Sequence, residues 1–113
     1  MEGLELISFN IISNVGSAKS MVMESMQKSR LGDFESAEKL IEEANKYLLI
    51  GEKEHFKVIT QEAKEKNVEL TILFMHAEDQ LMSTVTLRDI ANEVLENYKM
   101  MYDLKKIIEE KCQ

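Results

Sequence analysis

Residues 76–83, which read HAEDQLMS, place an imidazole beside a carboxylate and an amide in a stretch that is otherwise typical of a helix. Asp79 follows His76 by three residues and Gln80 follows it by four, so both side chains neighbour His76 on the helix surface. Histidine changes charge near neutral pH, and its neutral ring nitrogen is a nucleophile. The segment therefore combines one reactive group with two polar neighbours.

Phosphoryl acceptance is the chemistry that a lone, accessible imidazole can perform. The ring nitrogen of His76 would attack a phosphoryl donor in line and then pass the group on, while the protein supplies position and charge. The sequence has no rival nucleophile, since Cys112 is terminal and no serine triad order or glycine-rich phosphate loop is present. A histidine that simply lies on a helix surface is the alternative interpretation.

Asp79 is a poor neighbour for a phosphoryl group, because two anions repel each other. Its position makes sense if copies of the helix associate around a symmetry axis, where three carboxylates would form a hard-oxygen site suited to Mg²⁺. Gln80 would hydrogen-bond around such an axis or fix the register of the helices. The alternative for Asp79 is a solvated carboxylate, and one imidazole is too few for a transition-metal site.

The second histidine and two methionines complete the set of candidate residues. His55 lies among acidic and basic residues, which predicts a solvated helix face. Met75 and Met82 flank the candidate site. Methionines at helical spacing usually fill a core, although this pair could also form an apolar docking rim.

The elements that must position these residues are helices. The chain has no proline and only four glycines, a composition that favours long helices. Apolar residues three and four apart predict helices over about residues 4–30, 34–63 and 68–108. The predicted fold class is all-α, an antiparallel up-down-up three-helix bundle in a single domain over residues 1–113.

Short polar or glycine-containing segments are predicted to separate the helices. Gly32 suits the left-handed position after the first helix, and Asp33 suits the N-cap of the second. Gly51 interrupts the second helix and predicts a kink or a close helix contact. Asn67 is a candidate cap for the third helix, and the charged tail from Lys105 is expected to fray.

The third helix carries a heptad seam. Because it has apolar surface on more than one face, it is predicted to pack inside its own chain and against other subunits. A second apolar set borders this seam and consists of Leu70, Phe74, Leu81 and Val85. The seam itself consists of Leu73, Ala77, Gln80, Thr84, Leu87, Ala91, Val94, Tyr98 and Met101.

Composition and charge restrict the class of protein. The formal net charge of −7 argues against nucleic acid and anionic lipid and fits a partner with a basic docking surface, or solubility alone. No apolar run approaches the roughly 20 residues that cross a membrane. The acidic N-terminus lacks the basic start of a signal peptide, and the one cysteine predicts a cytoplasmic setting.

Three stretches resemble the lactose/cellobiose-type IIA component of the bacterial phosphoenolpyruvate-dependent sugar phosphotransferase system. They are residues 11–18 (IISNVGSA), residues 32–38 (GDFESAE) and residues 76–83 (HAEDQLMS), the last continuing through residues 86–91 (TLRDIA). The third stretch is the most specific of them. The resemblance extends over nearly the whole chain, to about Lys99.

This resemblance implies a three-helix subunit that assembles as a homotrimer. His76 matches the phosphorylated histidine, modified on Nε2. It would receive the phosphoryl group from the histidine-containing phosphocarrier protein and give it to a cysteine of the cognate IIB component. Asp79 matches the aspartate that binds a divalent ion such as Mg²⁺ at the trimer axis. Uptake of a disaccharide is implied, of the cellobiose/diglucoside type or the lactose type.

The sequence departs from the family pattern at two places and leaves alternatives open. Many members have a second histidine where this chain has Gln80, and many have an Ala-His pair where it has Gly51-Glu52. The main alternative is a non-catalytic helical oligomerisation or adaptor module, in which His76 is incidental. A histidine phosphotransfer domain of two-component signalling fits less well, because such domains usually carry lysine and glycine just after the histidine.

Overall fold

The computed structural model describes residues 2–112, with the backbone alone at residue 2. Over these residues the chain forms three α-helices and no strand: α1 spans Glu2–Arg30, α2 spans Phe34–Glu65 and α3 spans Ile72–Lys111. The all-α prediction is therefore confirmed. None of the described helices is long and apolar enough to cross a membrane.

The turn between α1 and α2 has the predicted chemistry. Gly32 adopts φ 81°, a left-handed conformation that glycine reaches without a steric cost. Asp33 caps α2, and its carboxylate accepts a hydrogen bond from the Ser36 N–H at 3.2 Å. The hydrogen bonds from Ser36 are the main cause that lowers the pKa of the Asp33 carboxyl below its ordinary value.

The connection between α2 and α3 differs from the prediction. α2 ends at a left-handed Lys66 with φ 54°, and Asn67 does not cap the next helix. Residues 67–71 are not helical, and Val68 packs against the core from within them. Thr71 is the actual N-cap, since its extended backbone lets the side chain accept the Phe74 N–H at 3.1 Å. The expected start of the third helix at residue 68 is therefore wrong by four residues.

The far end of α3 also differs from the prediction. The helix continues to Lys111, so the tail from Lys105, which was expected to fray, is helical almost to its end. Every side chain from residue 100 to residue 112 is exposed.

Replacement of the α3 cap is expected to destabilise the helix start that carries the candidate site. Thr71→Ala removes the acceptor for the Phe74 N–H and should lower the free energy of unfolding by about 1 kcal/mol. Thr71→Ser keeps the hydroxyl and is the matched control. Chemical denaturation followed by circular dichroism measures the free energy of unfolding of both variants. An alanine variant as stable as the wild type would contradict the capping role.

The core takes residues from all three helices, and it shows which face of α3 points inward. The seam residues Ala77, Thr84 and Ala91 are all at most 1% exposed. Phe74 and Leu81, from the bordering set, are 2% and 4% exposed. As far as Ala91, the seam is therefore the face with which α3 packs inside its own chain, and the opposite face remains open to other subunits.

Gly51 marks a close approach of the three helices. It is buried, and α2 is continuous through it, so the contact rather than a kink explains the glycine. A Cβ atom at this position would lie 3.1 Å from Val15 Cγ2 and 3.5 Å from Leu81 Cδ1. The missing side chain allows α2 to pack closely against both neighbouring helices.

Candidate functional site

His76 lies near the start of α3, one turn after its cap, and is exposed. Two of its neighbours, Phe74 and Ala77, are 2% and 0% exposed, so core packing fixes the helix on both sides of the histidine. The described side chains make a hydrogen bond to His55 but none to His76. The imidazole is thus accessible and unpaired on a rigid element, as in-line attack on a bound donor requires.

Asp79 and Gln80 flank His76 in different environments. With 3.6 residues per helical turn, Asp79 lies about 60° to one side of His76 and Gln80 about 40° to the other. Asp79 is exposed on the outward face of α3, whereas Gln80 is half-buried towards the core. The structure therefore brings the three predicted residues together but assigns only His76 and Asp79 to the open surface.

Asp79 is the candidate metal ligand that the sequence predicts. Among residues 2–112 there is no group of three or more histidine, cysteine, aspartate or glutamate side chains arranged to bind an ion. Asp79 supplies one carboxylate, a hard oxygen donor of the type that Mg²⁺ prefers. Water molecules or carboxylates of other copies of the chain would have to supply the further ligands.

His55 is not the solvated residue that its charged surroundings predicted. Its Nε2 lies 2.6 Å from Glu78 Oε2, and its side chain is only 22% exposed. The imidazole also stacks on the Phe74 ring, with ring centroids 5.7 Å apart and an interplanar angle of 4°. His55 therefore connects α2 to α3 through Phe74 and Glu78, each two residues from His76 in the sequence. The Glu78 side chain lies on a different face of α3 from His76.

An apolar rim borders the site on the side of Asp79. Met75 and Met82 are 56% and 62% exposed, so they are not core residues. Ile72, at the first position of α3, is 87% exposed and lies on the same face. Of the two interpretations of these methionines, exposure favours the docking rim.

The comparisons with known proteins agree with this architecture. Residues 6–99 match the family model described as "PTS system, Lactose/Cellobiose specific IIA subunit". The lactose-specific EIIA component of Staphylococcus epidermidis is 32% identical over 96 residues, covering 85% of this chain and 92% of that protein. The lichenan-specific phosphotransferase enzyme IIA component of Bacillus subtilis is 35% identical over 98 residues, covering 87% of this chain and 89% of that protein.

Two crystal structures share the fold. The cellobiose-specific enzyme IIA from Bacillus anthracis superimposes with a TM-score of 0.85 at 29% identity, covering 88% of this chain and 92% of that one. PtcA from S. mutans also gives a TM-score of 0.85, at 36% identity, covering 88% of this chain and 97% of that one.

The chain therefore belongs to the lactose/cellobiose-specific IIA family of the sugar phosphotransferase system, as the resemblance in its sequence implied. It is a sugar-specific IIA component, and that class of protein serves phosphoryl transfer in sugar uptake.

Proposed function

We propose that His76 is the phosphoryl acceptor of this component. The phosphohistidine of the histidine-containing phosphocarrier protein is the donor, and a cysteine of the cognate IIB component is the acceptor, all in the cytoplasm. The observation that carries the proposal is the exposed, unpaired imidazole of His76 on a helix that Phe74 and Ala77 fix in the core.

The two transfers balance without any further reactant. In the first, a nitrogen–phosphorus bond forms at His76 Nε2 while the nitrogen–phosphorus bond of the donor breaks. In the second, a sulfur–phosphorus bond forms on the IIB thiolate while the bond at His76 breaks. The chain contributes position, because the phosphoryl group itself needs only in-line geometry and charge stabilisation.

The surface around His76 supports docking of two successive partners. Met75 and Met82 supply exposed apolar area beside the histidine. The net charge of −7 speeds encounter with proteins that present a basic surface. An apolar rim inside an acidic surface suits transient complexes that form and separate quickly.

The subunit is proposed to be an antiparallel up-down-up bundle. Ser25 Oγ donates to the Ala37 carbonyl at 2.8 Å across α1 and α2, close to their connecting turn. His55 meets Glu78 at 2.6 Å across α2 and α3, close to the second connection. Contacts between residues near each connection support reversal of the chain direction at both.

The proposed assembly is a homotrimer in which copies of Asp79 converge on the axis. The exposed position of Asp79 and its hard oxygen ligands fit a shared divalent ion such as Mg²⁺. When bound, the ion supplies positive charge that offsets the repulsion among these carboxylates. Gln80, half-buried beside them, is assigned an accessory role as a hydrogen-bonding group.

Removal of the Asp79 carboxylate is expected to remove the bound ion and keep the trimer. Asp79→Leu replaces converging charges by apolar contacts, so assembly should be as strong or stronger. Elemental analysis of dialysed protein measures the ion, and sedimentation measures the assembly. Asp89→Leu, which removes another exposed carboxylate of α3, should leave the ion in place. An unchanged metal content in the Asp79→Leu trimer would contradict the axial site.

The sugar is proposed to be a diglucoside of the cellobiose type, with a lactose-type sugar as the alternative. The named specificities of the relatives include lactose, lichenan and cellobiose, and selection of the sugar belongs to the membrane component. Growth of a strain that lacks this chain on each sugar distinguishes the two types.

Phosphoryl acceptance tests the carrier function as a whole. The full chain is incubated with phosphoenolpyruvate, enzyme I and the phosphocarrier protein, and its intact mass is measured before and after acid treatment. A carrier gains one acid-labile phosphoryl group in this incubation. It loses that group when the IIB component is added. A helical adaptor module, the alternative, gains none.

A further inference from the structure

The end of α1 is closed by hydrogen bonds from the turn that follows it. A helix leaves its last four carbonyl groups without partners inside the helix, and N–H groups of the turn satisfy three of these four in α1. The three bonds run from N–H to carbonyl, from Leu31 to Gln27 at 3.2 Å, from Gly32 to Ser29 at 3.0 Å and from Asp33 to Lys28 at 2.9 Å. This pattern around a left-handed Gly32 is a Schellman motif. It leaves the carbonyl of Arg30, the last residue of the helix, without a backbone donor.

Tyr102 of α3 supplies the missing donor. Its hydroxyl donates to the Arg30 carbonyl at 2.9 Å, although the two residues are 72 positions apart in the sequence. Its ring packs edge-on against Phe34 of α2, with ring centroids 5.5 Å apart and an interplanar angle of 87°. A Cβ atom on Gly32 would lie 2.9 Å from Tyr102 Cε1, so the ring lies directly against the glycine of the turn. One side chain of α3 therefore contacts the end of α1, the turn and the start of α2.

Tyr102 lies beyond the part of the chain that matches the family. That match ends at residue 99, whereas α3 continues to Lys111. After Tyr102, the described side chains of α3 make no hydrogen bond or ion pair to α1 or α2. Tyr102 is therefore the last polar anchor between α3 and the rest of the described bundle.

We propose that Tyr102 is a clamp that holds the turn between α1 and α2 closed. Leu31 and Asp33 are exposed, and backbone hydrogen bonds in exposed segments with few buried contacts open at a low cost in free energy. The hydroxyl of Tyr102 completes the cap of α1, and its ring covers Gly32. Because coupling between two contacts is reciprocal, the clamp fixes the end of α3 on the bundle as strongly as it closes the turn.

Tyr102→Phe tests the clamp, with Tyr98→Phe as the matched control. Both substitutions remove one hydroxyl from α3, but Tyr98, one turn earlier, donates no hydrogen bond to the described residues. Hydrogen exchange of the full chain, measured by NMR, reports opening of the turn. Exchange of the Leu31, Gly32 and Asp33 N–H groups should become about fivefold faster in Tyr102→Phe, because the open turn no longer competes with this hydrogen bond. Tyr98→Phe should exchange like the wild type.

Gly32→Ala tests the contact from the side of the turn. The added Cβ atom would lie 2.9 Å from Tyr102 Cε1 and 3.0 Å from Cζ, which is closer than unbonded carbon atoms pack. The ring must therefore move away, and its hydrogen bond to Arg30 is lost. Alanine also disfavours the left-handed φ of 81°. Only this backbone effect remains in a Tyr102→Ala background, so Gly32→Ala should accelerate exchange of the turn at least about threefold less there than in the wild type.

The Lys66 N–H, which donates to the Glu62 carbonyl at the second connection, is the internal reference. Faster exchange at the first turn with an unchanged rate at Lys66 supports the clamp. Wild-type exchange in Tyr102→Phe, an equal increase at Lys66, or equal effects of Gly32→Ala in both backgrounds overturns it. His76 precedes Tyr102 by 26 residues, about 39 Å along α3, and intact-mass analysis tests its phosphoryl acceptance separately.

Discussion

His76→Gln is expected to abolish phosphoryl acceptance completely, while the wild type gains one acid-labile group. The glutamine side chain is polar and of similar length, but its amide nitrogen is not a nucleophile, because its lone pair is delocalised into the carbonyl. His76 is exposed and the described side chains do not hydrogen-bond to it, so the substitution leaves the fold intact. Intact mass after incubation with phosphoenolpyruvate, enzyme I and the phosphocarrier protein measures the effect.

His55→Gln is the matched control for that experiment. The chain has only two histidines, and the ring of His55 is occupied by Glu78 at 2.6 Å and by the face of Phe74. This variant should accept phosphate as the wild type does, although it loses part of the contact between α2 and α3. Phosphate retained on His76→Gln, or lost from His55→Gln with helicity unchanged, would contradict the assignment of His76.

The helices themselves could be predicted because their signals are local. Apolar residues three and four apart give α1, α2 and α3, and the pairing of Gly32 with Asp33 gives the first turn. The start of α3 was harder to predict, because Asn67 and Thr71 are both acceptable caps. The left-handed Lys66 and the packing of Val68 against the core decide between them, and neither is visible in the local pattern.

The direction in which each face of α3 points could not be read from periodicity. A repeat of three and four shows that a face exists but not what covers it. The buried seam residues Ala77, Thr84 and Ala91 are small, and small residues allow the close approach of helices within one chain. Asp79 lies on the other side, so the candidate metal ligand and the core belong to different faces.

The environment of His55 was mispredicted for a similar reason. Its sequence neighbours are charged, which is typical of a solvated face, but its contacts come from α3. The Glu78 carboxylate is 23 residues away along the chain, and only the packing of the two helices brings it within hydrogen-bonding distance. His76 was easier to propose as the phosphoryl acceptor, because that proposal rests on a local motif and on exposure rather than on a distant partner.

Gly51→Leu is expected to lower the free energy of unfolding by about 3 kcal/mol. Leucine favours a helix over glycine by nearly 1 kcal/mol, so propensity alone predicts a stabilised protein. Packing opposes this gain and is larger, because even a Cβ atom would lie 3.1 Å from Val15 Cγ2. Val15 is 1% exposed and β-branched, so it has little freedom to move aside.

Gly16→Leu supplies the matched control, since Gly16 also lies inside a helix but nothing is within 4 Å of its Cβ position. The same substitution there should stabilise the protein by up to about 1 kcal/mol, because only helix propensity changes. Guanidinium denaturation at one fixed protein concentration compares the two variants, since assembly contributes to the measured stability. If Gly51→Leu lowers the free energy of unfolding and Gly16→Leu raises it, then contact between helices, rather than helix propensity, explains the glycine at residue 51. Equal stabilisation of both variants would contradict the close contact with Val15.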